Sequence, residues 1–277
     1  MILTNHRIQL RWFNLRAFHL FMKTPISIYV VQTDLVWENT NQNLLRMQWH
    51  IQRTEPNSMV LLPEMFNTGF TMNSIDFAET MDGITLNWVK EMSVDRCICG
   101  SLAIEENGKY FNRFVAVYNG EILAQYDKRF LFSLGNEQSH YEPGLKSVRF
   151  EWQGWSFAPF ICYDLRFPEW IRLQAGVDVL LFSANWPKSR NSAWNALLKA
   201  RAIENQCFVV GSNRVGNDAL GFPHVGNSQI LDYVGSHLVA PVENREVLIH
   251  QILEHGPMKK FREKYPFLDD RANYTIS

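Results

Sequence analysis

Three strand-like runs in this chain each end on one reactive side chain. Phe160-Ile161 stops at Cys162, Leu61-Leu62-Pro63 stops at Glu64, and Tyr126-Asp127 leads to Lys128. A thiolate is the strongest side-chain nucleophile near neutral pH, but a free cysteine is mostly protonated and needs a base or a cation beside it. A carboxylate and an ammonium would supply both, and the trio points to covalent hydrolysis. Cys162 is followed at once by Tyr163-Asp164, and Pro168 constrains entry into a helical pattern, as a nucleophile displayed at a strand end requires. Glu64 follows the buried run 59–62, at the carboxyl end of a strand, where α/β sheets build their sites.

Each residue also has a plainer reading. Glu64 alone could cap a helix, and Lys128 lies in the charge cluster Asp127-Lys128-Arg129, where a solvated lysine is the ordinary case. Free cysteine is among the most buried residue types, and Cys97, Cys99 and Cys207 fit an inert buried thiol. Other catalytic signatures are missing: the chain has no Gly-x-Ser-x-Gly, His-Glu-x-x-His, P-loop or Gly-x-Gly-x-x-Gly.

The elements around these residues alternate. Residues 26–31, 59–62, 97–104, 148–152, 155–161, 177–182, 207–211, 228–231, 237–239 and 246–252 read as strands, and 112–118 with 122–126 as a hairpin turning at Asn119-Gly120. Residues 41–53, 84–92, 169–174, the face bearing Trp194, Leu197, Leu198 and Ala202, and 259–264 read as helices. Hairpins interleaved with helices favour α/β architecture with two mixed sheets covered by helices.

Composition narrows the partners. With 277 residues, 46% of them hydrophobic, the chain can bury a large core, and 27 basic against 28 acidic side chains leave no electrostatic footprint for nucleic acid. No apolar run is long enough to span a membrane. A small-molecule partner and a reducing, cytoplasmic compartment are expected, since the four cysteines form neither spaced pairs nor a zinc pattern. Residues 1–24 carry Arg7, Arg11, Arg16 and Lys23 and no acid, and read as a basic leader or a non-native start before Met22. Residues 25–277 read as a single domain.

Leu61-Pro63-Glu64, Tyr126-Asp127-Lys128-Arg129 and Cys162-Tyr163-Asp164-Leu165-Arg166-Phe167-Pro168 resemble, in order, the signature segments of the nitrilase (carbon-nitrogen hydrolase) superfamily. Residues 183–187, 200–206 and 211–216 further resemble its omega-amidase branch, which acts on amides of 2-oxo dicarboxylic acids. The resemblance covers residues 26–267 and implies a four-layer αββα sandwich. It also implies Glu64 as general base, Lys128 as oxyanion stabiliser, Cys162 as nucleophile, the Tyr163 backbone N–H as second oxyanion donor, and Glu137 as a supporting glutamate. Phe130 departs from the histidine that related chains often carry there.

No metal or organic cofactor is implied, and a homodimer using the C-terminal segment is. Phe66 and Trp186, beside the strand ends, are expected to wall the substrate pocket, with Asn185 next to them. Arg166, Arg190 and Arg214 are candidates to meet a substrate carboxylate, Arg166 foremost. Rival readings are hydrolysis of N-carbamoyl amino acids or nitriles on the same scaffold, and a non-catalytic interaction protein that keeps the fold.

Overall fold

The computed structural model describes residues 23–276. Strands β1 (Ile26–Gln32), β2 (Ser58–Leu61), β3 (Cys97–Glu106), β4 (Lys109–Tyr118), β5 (Glu121–Asp127) and β13 (Val247–Leu253) form a six-stranded sheet in the order β13-β1-β2-β3-β4-β5. Strands β6 (Phe150–Trp152), β7 (Trp155–Ile161), β8 (Val179–Ala184), β9 (Phe208–Asn213) and β12 (Gln229–Leu231) form a second sheet in the order β12-β9-β8-β7-β6. Each sheet has a parallel centre, β1-β2-β3 in one and β7-β8-β9 in the other, with antiparallel strands at its edges. The centres are buried on both faces, which is why β2, β8 and β9 read as unbroken apolar runs rather than alternating ones.

Helices α1 (Thr40–Ile51) and α2 (Ile84–Met92) cover the outer face of the first sheet. Leu44, Met47, Ile51, Leu86 and Val89 pack there with Val60, Leu62 and Ile98. The side chain of Asn39 accepts from Gln42 N at 3.1 Å and so starts α1. Helices α3 (Pro168–Arg172) and α4 (Asn191–Asn205) cover the second sheet, with Pro168 at the first turn, where its missing N–H costs nothing. The inner faces meet in one apolar cluster that includes Val30, Leu61, Phe114, Phe160 and Phe182. Truncating a fully buried ring there, such as Phe160, would cost about 3–5 kcal/mol. The layers are thus helix, sheet, sheet, helix, the αββα sandwich.

Between the sheets Ser183 Oγ donates to Leu62 O at 2.9 Å and Ser212 Oγ to Val31 O at 2.7 Å. These bonds fix the carboxyl ends of β1 and β2 against those of β8 and β9. Residues 237–239 do not form a strand: His237 makes only an isolated bridge with Leu231. Strands β10 (Val215–Asn217) and β11 (Pro223–Val225), which the sequence reading did not contain, form a separate short hairpin after β9. A last helix, α5 (His255–Lys264), follows β13.

The proposed leader lies outside the described residues except for Lys23 and Thr24. Lys23 Nζ donates to Asp178 at 2.6 Å, and Thr24 O accepts from Trp155 Nε1 at 2.8 Å, so both pack on the second sheet. Among the described residues no helix is long and apolar enough to cross a membrane.

Candidate active site

The carboxyl ends of β2, β7 and β8 converge, and the segment after β5 closes the gap between the sheets. Cys162 follows β7 directly and has φ +41°, a left-handed conformation that a side chain bearing Cβ adopts only when its surroundings enforce it. The chain then enters a 3₁₀ turn, Cys162–Arg166, whose first N–H groups, Tyr163 among them, lie outside the turn's own hydrogen bonds. Arg201 of α4 holds this turn by donating Nε and Nη2 to Leu165 O at 3.1 and 2.7 Å.

Glu64 lies three residues beyond β2, fully buried. Its Oε1 accepts from Lys128 Nζ and Asn112 Nδ2, each at 2.8 Å, and its Oε2 from Asn185 N at 2.9 Å. Lys128 is also fully buried, between Glu64 and Glu137, whose oxygens lie 3.0 and 2.9 Å from its Nζ. Glu137 opens the second of two 3₁₀ turns joined at Asn136, which has φ +59°, and accepts from Phe132 N at 2.6 Å. Lys128 is therefore no solvated surface charge, because two buried carboxylates draw it inward. Its neighbours leave the cluster: Asp127 pairs with Arg113 at 2.6 Å, and the Arg129 guanidinium lies over the Trp170 ring.

Burial disfavours the Lys128 ammonium, but Glu137, Glu64 and Cys162 together hold its pKa above the usual lysine value. Burial pushes the Glu137 carboxyl up, and Lys128 offsets this only in part because Glu64 competes for the same ammonium. The Cys162 thiol is raised well above its usual value, first by burial and then by the Glu64 charge, with Lys128 opposing. At rest the sulfur is a thiol, and its activation needs a base that acts as it attacks.

The cavity in front of these groups has a volume of about 430 Å³. Its lining includes Lys128, Cys162 and Tyr163, the aromatic side chains of Phe70, Phe132 and Trp186, and the guanidinium-bearing Arg166 and Arg190. Arg166 lies 5.0 Å over the Trp186 ring and Arg190 5.0 Å over the Phe132 ring; neither has a carboxylate partner among the described residues. Arg214 does not line the cavity. It is buried, donating to Asp34 Oδ1 at 2.6 Å and to the backbone oxygens of Val215, Leu35 and Asn217.

Phe66 is a correction to the sequence reading. It packs into the core between the first sheet and its helices, against Trp88 and over Gly100, where an added Cβ would lie 2.9 Å from its ring. One residue of phase sends Phe66 to the helix side while Met65 takes φ +43°, and strand-end position alone did not reveal this. Trp186 does wall the cavity, its Nε1 donating to Arg190 O at 2.8 Å. Asn185 also lines it, yet its polar groups turn to Glu64: Nδ2 donates to Glu64 O at 2.6 Å, alongside the bond from its backbone N–H. Its place is to fix Glu64.

Sequence reasoning missed Asn112, which bridges Glu64 and Glu137 from β4 at 2.8 and 3.2 Å. A polar residue opening the apolar run 112–118 was the available signal. It also missed the β10-β11 hairpin, whose turn brings Leu220 and Phe222 to the cavity mouth.

The family model for carbon-nitrogen hydrolases matches residues 28–254. The chain is 36% identical to omega-amidase YafV of Yersinia enterocolitica, over 91% of this chain and 99% of that one. It is 33% identical to 2-oxoglutaramate amidase of Bacillus subtilis, over 90% and 98% of the two chains. Among solved structures, a CN-hydrolase superfamily protein of Xanthomonas campestris with an arsenic adduct in its active site superposes with a TM-score of 0.88 at 33% identity, covering 92% of this chain and 100% of that one.

Proposed function

The chain belongs to the carbon-nitrogen hydrolase family, and on that premise we propose that it is an omega-amidase, releasing ammonia from the terminal amide of 2-oxo dicarboxylic acid monoamides such as 2-oxoglutaramate and 2-oxosuccinamate. One observation carries the substrate class: two guanidinium groups that have no carboxylate partner among the described residues line the same cavity as Cys162 and Lys128. A substrate carrying a carboxylate at one end and an amide at the other satisfies both ends of such a cavity.

Glu64 takes the Cys162 thiol proton as Sγ bonds to the amide carbon. The C=O π pair moves to oxygen, where the Lys128 ammonium and the Tyr163 N–H stabilise the oxyanion. As the carbonyl re-forms, the C–N bond breaks and Glu64 returns its proton to the departing nitrogen, giving ammonia and a thioester. Glu64 then takes a proton from water as the water oxygen attacks the thioester. Collapse releases the acid, and the proton returns to sulfur. Glu137 and Asn112 support this cycle by holding Lys128 and Glu64 in register.

Comparing kcat/KM for 2-oxoglutaramate, its methyl ester, an N-carbamoyl amino acid and an aliphatic nitrile tests the assignment. The acid should lead, and Arg166→Met or Arg190→Met should raise KM on the order of tenfold to a hundredfold, the worth of a charged hydrogen bond. Equal rates for acid and ester would remove the carboxylate anchor, and a faster carbamoyl substrate would transfer the assignment to that class. The proposal includes a cytoplasmic homodimer. Half-buried Phe261 and exposed Tyr265 and Phe267, in successive tilted ring contacts near the C-terminus, support the dimer contact. Light scattering that returns a monomer mass at micromolar concentration would count against it.

A further inference from the structure

Asp164 is buried two residues beyond the nucleophile, and the steps above make no use of it. Its Oδ2 accepts from Ile161 N at 2.9 Å and from Tyr126 OH at 2.8 Å, and its Oδ1 from Phe130 N at 2.9 Å. Trp170 Nε1 donates to the Tyr126 oxygen at 3.0 Å, which leaves the tyrosine proton for Asp164. Ile161 directly precedes Cys162, while Tyr126 and Phe130 flank Lys128 by two residues on either side. One carboxylate therefore ties both flanks of the lysine to the residue before the cysteine.

A cap for the 3₁₀ turn needs only the bond to Ile161, so the two donors from the lysine segment exceed what local structure asks for. Burial raises the Asp164 acid to about 6, with the Ile161 and Phe130 N–H groups, Lys128 and Tyr126 acting in the other direction. Because the folded value exceeds the unfolded one, ionising Asp164 costs stability as pH rises through that window; the fold keeps an ionised carboxylate at neutral pH against its own interest. The titratable groups that act on it are Tyr126 and Lys128, with Trp170 behind the Tyr126 oxygen, Arg129 5.4 Å over the Trp170 ring and Arg201 bonded to Leu165 O.

We propose that Asp164 is a positioning residue: its ionised carboxylate clamps the Lys128 segment to the Cys162 turn, so that ammonium and sulfur share one carbonyl at the correct separation. This rests on the assignment of Lys128 and Cys162 made above. All three of its neighbours are donors, so protonating Asp164 removes the charge that strengthens each bond and adds an O–H that finds no acceptor among them, and the clamp loosens on acidification.

The test uses the full chain with Tyr126→Phe, Asp164→Asn and, in parallel, Cys162→Ala, measuring melting temperature and the pH dependence of kcat and KM for 2-oxoglutaramate. Wild-type kcat should fall on acidification with a midpoint of about 6. In Asp164→Asn, kcat should drop about a hundredfold with KM within about twofold, as for a misplaced reacting group, and that acid limb should vanish. Tyr126→Phe removes one bond that favours the ionised form, so kcat should drop about tenfold and the acid limb move upward by about one pH unit. If Asp164→Asn does not fold, Tyr126→Phe decides. A folded Tyr126→Phe enzyme with kcat within about twofold of wild type and an unmoved acid limb overturns the clamp while the site assignment stands. An active Cys162→Ala enzyme overturns the assignment and the clamp together.

Discussion

Two buried charge clusters occupy opposite ends of the second sheet, and they are compensated in opposite ways. At Asp178, one carboxylate faces an excess of donors: Lys23 Nζ at 2.6 Å, Ser156 N and Oγ at 2.8 and 2.9 Å, His255 Nε2 at 3.2 Å and Arg262 Nη1 at 3.8 Å. Burial opposes its charge, yet His255, Lys23 and the Ser156 N–H hold its carboxyl well below the usual range. At Lys128 the ratio is reversed, with two carboxylates sharing one ammonium, and Glu137 is pushed up by burial and by Glu64. The first cluster ties the residues before β1, the start of β7 and helix α5 together. The second is left short of positive charge, and it opens onto the cavity. A carboxylate with too few donors is a proton acceptor, whereas one with too many is a staple.

The largest expected effect is at the nucleophile. Cys162→Ala removes a single sulfur atom and keeps the Cβ, so it should melt near wild type and release no ammonia from 2-oxoglutaramate. Unchanged activity would break the comparison outright.

Lys128→Met comes next and tests the shared ammonium in two ways. Activity should fall on the order of a hundredfold or more, as for a lost oxyanion donor. Stability should fall too, by about 3–5 kcal/mol, because Glu64 and Glu137 are left buried without a cation. A surface lysine would not cost this, and chemical denaturation measures it. Adding Glu137→Gln to Lys128→Met should restore part of the stability but none of the activity. A denaturation midpoint equal to wild type would return Lys128 to the solvated charge its sequence neighbourhood implies.

Asp178→Asn should spare kcat and cost about 1.5–3 kcal/mol at neutral pH, the worth of hydrogen bonds to a charged group. The two clusters also predict opposite pH slopes. The folded-state pKa of Asp178 is depressed, so its contribution is present above the unfolded value of 3.8 and is lost as pH falls below it. Glu137 is raised, so its contribution is complete below its unfolded value of 4.5 and is lost as pH rises through the folded one. Asp178→Asn should flatten the stability profile below pH 3.8 and Glu137→Gln the profile above 4.5; identical profiles would erase the distinction. The smallest effect concerns residues 1–21. A chain starting at Met22 keeps Lys23 and Thr24, and it should match the full chain in rate and melting temperature.

The reactive residues were legible because their signal is local. Glu64 and Cys162 each stand where an apolar run stops, and strand ends in an α/β sheet are fixed by the same few residues that make the strand apolar. The hairpin at Asn119-Gly120 was legible because both residues take positive φ in the structure, a conformation their turn chemistry favours. The helix Ile84–Met92 was legible for the same local reason, its apolar spacing. Lys128 was legible as a candidate, but its environment was not: the sequence shows three consecutive charges and gives no sign that the middle one turns inward.

What only the tertiary structure decided is which distant side chains meet. Asn112 on β4 reaches both glutamates, Asn185 turns to Glu64 rather than to the cavity, and Phe66 faces the helices. Arg190 and Arg166 enter the cavity while Arg214 is consumed by Asp34 and backbone oxygens. By itself the sequence determined the strands of the two sheets, though not the short β10-β11 hairpin, together with the turn at the thiol and the types of reactive group, since these depend on propensity and patterning within a few residues. The direction of each side chain, and the surplus or deficit of charge around it, follow from packing two sheets face to face, a long-range outcome that no local window encodes.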